Sequence, residues 1–315
     1  EYGDSMINLI RSNRDTNFPW LGVFIGSSVI GFWYWCTDQF IVQRVLSGKD
    51  ETQARRGAIF GAYLKLTPVF LFLIPGMVAF AMQKHGITVN GETFTMSSAD
   101  AAFPTLVAKL LPAGFKGLVV CGILAALMSS LASLFNSSAM LFTIDFYKKY
   151  RPKASEKTLL YVGRVATVVV VVLGILWIPV MKSVGSVLYN YLQDVQSVLA
   201  PGIAAAFLLG ICSKKATPKG GMWGLIAGFI IGITRLGAKV YYTSGATFSD
   251  SWFKYLFYDT NWLFFCGGML LFCMLVIVVV SRFTTPAPAE QIVGLTFGST
   301  TDEQKAVTRA SWNKW

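Results

Sequence analysis

Ala126, Ser129 and Ser130 stand at i, i+3 and i+4 within an apolar run from Leu118 to Ile144, a spacing that puts one backbone carbonyl and two hydroxyls on a single helix face. Three neutral oxygens so placed can form part of the shell of a small hard cation. The competing reading is packing, in which small residues let helices approach closely and serines bond back to the preceding turn. Ser133 and Asn136 lie in the same run. Hydroxyls at membrane depth need a neighbouring helix or something that passes through.

Three further polar sets interrupt apolar runs. In SSVIGFWYWCTDQFIVQR, Gly31 breaks the run and Tyr34, Trp35, Thr37, Asp38 and Gln39 follow. A glycine beside polar and aromatic side chains suits a discontinuous helix with free carbonyls and a ring-stacking surface. An aromatic belt at the membrane interface, with Asp38 and Gln39 already in water, accounts for the same residues. Lys65, two turns inside the next run and just before Pro68, needs a partner or a cavity, or else snorkels to the near interface. Gln193 and Gln196 share a helix face above Pro201 and Gly202, and amides facing a cavity suit hydroxyl-rich ligands, although at a helix end they also simply meet water. Gly224, Gly228 and Gly232 recur every fourth residue as a packing face rather than a site.

The elements that carry these residues follow from composition. With 54% hydrophobic and 14% charged residues and a mean hydropathy of +0.55, the chain is an all-α polytopic membrane protein. Seven stretches are long enough to span, at roughly 18–42, 57–83, 114–146, 159–181, 187–212, 221–239 and 261–281. The net charge of +11 sits mostly in short connections between spans, with no soluble basic domain to bind nucleic acid. Arg44, Lys49, Arg55 and Arg56, then Lys148 to Lys157, then Lys214, Lys215 and Lys219 mark alternate connections as cytoplasmic. The start is then outside and the tail inside. The five cysteines fall in or at the ends of apolar spans and His85 is the only histidine, so neither a disulfide framework nor a conventional zinc or haem site is expected. No P-loop, hydrolase elbow or metal motif is present. The opening EYGDSM and the closing ASWNKW read as cuts in a longer protein.

FWYWCTDQFIVQRVLSGKD from Phe32, GAYLKLTPVFLFLIPGM from Gly61, AALMSSLASLFNSSAMLFTIDFY, ASEK near Ala154 and YLQDVQSVLAPGIAAAFLLGI resemble, in order, the sodium/glucose cotransporter family of sodium:solute symporters. The likeness runs from Trp20 to Arg282. It implies a leucine-transporter-type fold of two inverted five-helix repeats with a central site reached alternately from each side. Residues 1–17 would be an extracellular segment, 18–212 the second repeat, 213–282 two peripheral helices, and 283–315 a cytoplasmic tail leading to a further helix. The first repeat and that last helix would be missing. The resemblance places the protein in the plasma (inner) membrane as a multi-pass symporter, not an enzyme, with the lipid bilayer, a sodium ion, a monosaccharide and the N-terminal helices of the full-length protein as partners. It carries no cofactor beyond sodium as coupling ion.

Residue by residue, the resemblance implies that the Ala126 carbonyl and the Ser129 and Ser130 hydroxyls form one side of the family's sodium site. It makes Tyr34 the gate beneath the sugar, and Trp35, Lys65, Gln193 and Gln196 sugar-contacting positions. Gly31 stands where sugar-binding members place asparagine or threonine, so that hydrogen bond is lost or replaced by backbone. Ala132 stands where members with a second sodium site have threonine, which favours one sodium per sugar. Another solute on the same machine (inositol, an amino acid or a carboxylate) and a non-transporting sensor remain open alternatives.

Overall fold

The first apolar run is not one regular α-helix. In the computed structural model, which describes residue 8 and residues 10–184, 188–243 and 252–312, Trp20–Gly22 and Ser28–Phe32 are α-helical. Val23–Ser27 and Trp33–Thr37 widen to π turns. This segment, Trp20–Thr37 (α1), stops at Asp38 (φ −74°, ψ 114°), and Gln39–Leu46 (α2) resumes beyond it. The stop has a local cause. Thr37 Oγ1 and Asp38 N both donate to the Trp33 carbonyl, at 2.7 and 3.1 Å, while the Asp38 side chain accepts from Phe40 N at 3.1 Å and starts α2. The expected discontinuity therefore exists, but at Asp38. Gly31 lies in a regular α-helical turn.

Two compact units divide the chain: Glu1–Leu46 and Tyr189–Trp315 with Ser183–Gly185, and Ser47–Lys182 with Ser186–Leu188. In the second, Glu51–Leu64 (α3) starts at Asp50, whose side chain accepts from Gln53 N at 2.7 Å, as an N-cap should. It ends at Lys65. Pro68 lacks the N–H that would continue the ladder, and Thr67 Oγ1 donates to the Leu64 carbonyl instead, at 2.6 Å. A π turn at Val69–Leu73 leads into Ile74–Lys84 (α4). Thr88–Val89 (β1) and Glu92–Thr93 (β2) then pair around Asn90 and Gly91 at φ 54° and 82°, the positive values a two-residue hairpin turn requires. Ala102–Leu110 (α5) packs Leu106 onto Ala79, Met82 and Phe94 beneath that hairpin. Ala113–Leu141 (α6) and Glu156–Val184 (α7) complete the unit.

The other unit carries Leu188–Cys212 (α8), Pro218–Thr243 (α9), Trp262–Arg282 (α10) and the tail helix Asp302–Trp312 (α11). Its core joins Val29 and Ile30 of α1 to Ala200 and Ala204 of α8 and to Trp262, Leu263 and Cys266 of α10. Gly224, Gly228 and Gly232 are buried, as the packing-face reading requires. At Gly232 a Cβ would lie 2.5 Å from Val198 Cγ1, and at Gly26 of α1 it would lie 2.6 Å from the Leu263 carbonyl oxygen. Only glycine permits either approach. α8 runs on through Pro201.

Among the described residues, seven helices are long and apolar enough to cross a membrane: Trp20–Thr37, Glu51–Lys84, Ala113–Tyr150, Glu156–Pro179, Tyr191–Cys212, Pro218–Thr243 and Trp262–Arg282. They match the seven expected stretches. Cys36, Cys121, Cys212, Cys266 and Cys273 are all free thiols.

Candidate functional site

In the second unit, Ala126, Ser129 and Ser130 lie in the unbroken helix α6 and are exposed. The serines of this helix divide into two kinds. Ser133 Oγ donates to the Ser129 carbonyl at 3.1 Å, and Ser137 Oγ to the Ser133 carbonyl at 2.9 Å; these bond back along their own helix, as the packing reading expects. Ser129 and Ser130 instead present their hydroxyls on the exposed face shared with Ala126. Lys65, in the same unit, is exposed at the C-terminal end of α3, where a cation suits the negative end of the helix dipole.

The remaining expected residues belong to the first unit. Tyr34 and Trp35 lie in the π turn Trp33–Thr37 that ends α1, with their rings perpendicular and 5.6 Å apart. Wide turns recur at functional sites. Gly31 precedes Tyr34 and Trp35 by about one turn. Gln193 and Gln196 are half-buried on α8, and Gln193 Nε2 donates to the Tyr189 hydroxyl at 3.1 Å. The structure thus groups Gly31, Tyr34, Trp35, Gln193 and Gln196 in one unit, through α1 and α8. It places Lys65, Ala126, Ser129 and Ser130 in the other.

Beside Gln193 stands a cluster that the sequence reading passed over. Arg235 of α9 is completely buried. Its Nη2 donates to the Thr260 carbonyl at 2.8 Å and its Nη1 to the Leu256 carbonyl at 3.4 Å, while the guanidinium carbon lies 4.0 Å above the Phe265 ring. Both carbonyls belong to the π turn Tyr255–Asp259 and its cap. Asp194 of α8 reaches this cation, with Oδ1 3.6 Å from Arg235 Nη2, and its Oδ2 pairs with Lys239 one turn further along α9. One carboxylate therefore faces two cations within the apolar spans. The signal was legible, since Arg235 and Lys239 are ionisable residues four apart inside an apolar run.

Among the described residues no group of three or more His, Cys, Asp or Glu side chains could hold a metal ion. The oxygens at Ala126, Ser129 and Ser130 are a backbone carbonyl and neutral hydroxyls, hard donors rather than the thiolate or imidazole set of a resident transition metal.

Seven apolar helices, a helix broken beside aromatic residues and hydroxyls set in a membrane span define a multi-pass membrane protein of the transporter class. The family model for the sodium:solute symporter family matches residues 2–228, and the chain belongs to that family, which is one of transporters and not of enzymes. It is 39% identical over 287 residues to sodium/glucose cotransporter 1 of Ovis aries, covering 89% of this chain and 43% of that protein. To sodium/glucose cotransporter 4 of Homo sapiens it is 40% identical over 298 residues, covering 92% and 44%. To sodium/myo-inositol cotransporter 2 of Homo sapiens it is 36% identical over 302 residues, covering 93% and 45%. The chain spans less than half the length of these relatives.

Proposed function

We propose that this chain supplies the second five-helix repeat and two peripheral helices of a plasma-membrane symporter with a leucine-transporter-type inverted-repeat fold. The transporter couples sodium to a monosaccharide of the glucose or galactose kind by alternating access. The observation that carries the reading is the oxygen-bearing face of α6, where Ser129 and Ser130 are exposed within an apolar span, in a chain of the sodium:solute symporter family.

Sodium is cargo in this scheme. Held by the Ala126 carbonyl and the Ser129 and Ser130 hydroxyls on one side, it draws its remaining ligands from helices of the longer protein and ties α6 to them. Each ligand then favours the conformation that the other needs, which is coupling by linkage. The membrane potential adds about 2.3 kcal/mol per charge per 100 mV. Lys65 and Gln193 donate to ring hydroxyls, Trp35 and Gln196 complete the sugar contacts, and Tyr34 gates the inner side. Gly31 offers backbone where other members offer a side chain.

Myo-inositol is the second reading, favoured by the sodium/myo-inositol cotransporter among the relatives. Uptake of labelled glucose by the full-length protein in proteoliposomes separates the two. Sodium-dependent uptake suppressed by galactose and spared by myo-inositol is the expected result; suppression by myo-inositol alone moves the substrate to the polyol. Sugar binding with no sodium-driven uptake would mark a sensor and overturn the transport reading.

A further inference from the structure

We propose that Asp194 is a positioning residue, which through its ion pairs with Lys239 and Arg235 fixes the rotation of α8 and so aims the Gln193 and Gln196 amides. The proposal rests on the reading of Gln193 as a solute contact. Successive helix residues turn by about 100°, so Gln193 and Gln196 share a face turned roughly 100–160° away from Asp194. The two sides of α8 therefore do different work. One is anchored to α9, the other is left to meet a ligand.

The apolar contacts of α8 are made by small residues around one larger knob, Val198 against Gly232, and by the buried Tyr191, and the ion pairs add a directional restraint to them. Val198 and Gly202 meet Gly232 and Gly228, and Ala200 and Ala204 meet Val29 and Ile30. Small side chains let helices come close but offer little that interlocks against turning. The ion pairs are directional, and their far end is held by several contacts. Arg235 is gripped by two carbonyls of the Leu256–Thr260 turn and by the Phe265 ring, and it shares α9 with Lys239. Side-chain tips lie about 5–6 Å from a helix axis, so a rotation of about 20° displaces them by about 2 Å, more than a hydrogen bond tolerates. Ser197, whose hydroxyl donates to the Asp194 carbonyl at 2.6 Å, stiffens the same turn.

The test is sodium-driven uptake by the full-length protein at matched surface expression, with half-saturation measured separately for glucose and for sodium. Asp194→Asn leaves two cations facing a neutral amide and is expected to raise the glucose half-saturation about tenfold, with the sodium value moving by less than about twofold. Lys239→Gln leaves the Asp194–Arg235 pair and is expected to raise it about threefold, while Asp194→Glu, which keeps the charge, stays nearer to the parent protein than Asp194→Asn. A role in folding alone would lower the amount of protein in the membrane and the maximal rate while leaving half-saturation unchanged, and that result overturns the proposal. Should Asp194→Asn fail to reach the surface, Lys239→Gln decides alone, and an unchanged glucose half-saturation there overturns it equally. Gln193→Ala separates the two levels. If it leaves glucose half-saturation unchanged, the site reading falls and the proposal falls with it; if it raises that value and Asp194→Asn does not, only the positioning role falls.

Discussion

The α8–α9–α10 region and the serine helix α6 handle polar residues inside apolar spans in opposite ways. Of the most apolar window in each span, 39% is buried in the fifth and in the seventh, and none in the third, which is α6. Where helices pack, glycines bring backbones together and the charges at mid-span, Arg235, Lys239 and Asp194, are partnered. Along α6, Ser129 and Ser130 stay on an exposed face, whereas Ser137 is buried and bonds back along the helix. A polar group inside a membrane span is thus structural when the chain itself satisfies it, and a candidate for binding when it does not.

Four substitutions break or sharpen that contrast. The largest effect is expected from Leu263→Ala, because Leu263 is fully buried among α1, α8 and α10; a loss of about 4 kcal/mol in detergent-solubilised thermal stability is the expected size for such a cavity. Gly232→Ala comes next, at about 2 kcal/mol, since its Cβ must displace Val198. A neutral result there would mean that α8 and α9 do not approach as closely as described. Gly91→Ala in the hairpin, where φ is 82°, is expected to cost about 1 kcal/mol, read as faster proteolysis of the loop between α4 and α5.

The smallest effect concerns pH. Asp15 accepts from the backbone amides of Phe18 and Asn17 and pairs with Arg11 ahead of α1. These bonds, the Phe18 amide first, hold its carboxyl below the usual carboxylate range. The lowered value means that the turn is favoured at neutral pH and loosens only as pH falls through it. The protection factor of the Phe18 amide, its exchange rate relative to the unstructured chain at the same pH, should fall in acid in the parent protein and stay low and pH-independent in Asp15→Asn.

Much of this contrast was legible in the residues. Long apolar runs mark the seven spans because length and hydropathy are local properties, and the four-residue glycine repeat marks its packing face for the same reason. The break in α1 was placed at Gly31 because glycine is the obvious weak point. The structure puts it at Asp38, where two donors compete for the Trp33 carbonyl, an outcome of hydrogen-bond closure that residue types do not announce. The hairpin carried its signal in Asn90-Gly91 and went unread. The Asp194 pairing depends on which face of α8 meets α9, and that is decided by tertiary packing rather than by spacing. Spacing leaves the oxygen face of α6 open between packing and binding; the structure adds the back-bonds of Ser133 and Ser137 and the exposure of Ser129 and Ser130.

The central claim, that the exposed face of α6 is half of a sodium site, is tested most directly by the sodium activation of sugar uptake in full-length Ser130→Ala, with Ser133→Ala beside it. Loss of one hydroxyl ligand should raise the half-saturating sodium concentration about tenfold or more while sugar selectivity is kept, and Ser133→Ala, whose hydroxyl bonds back to the Ser129 carbonyl, should leave it unchanged. Sodium activation of Ser130→Ala indistinguishable from the parent protein would contradict the account.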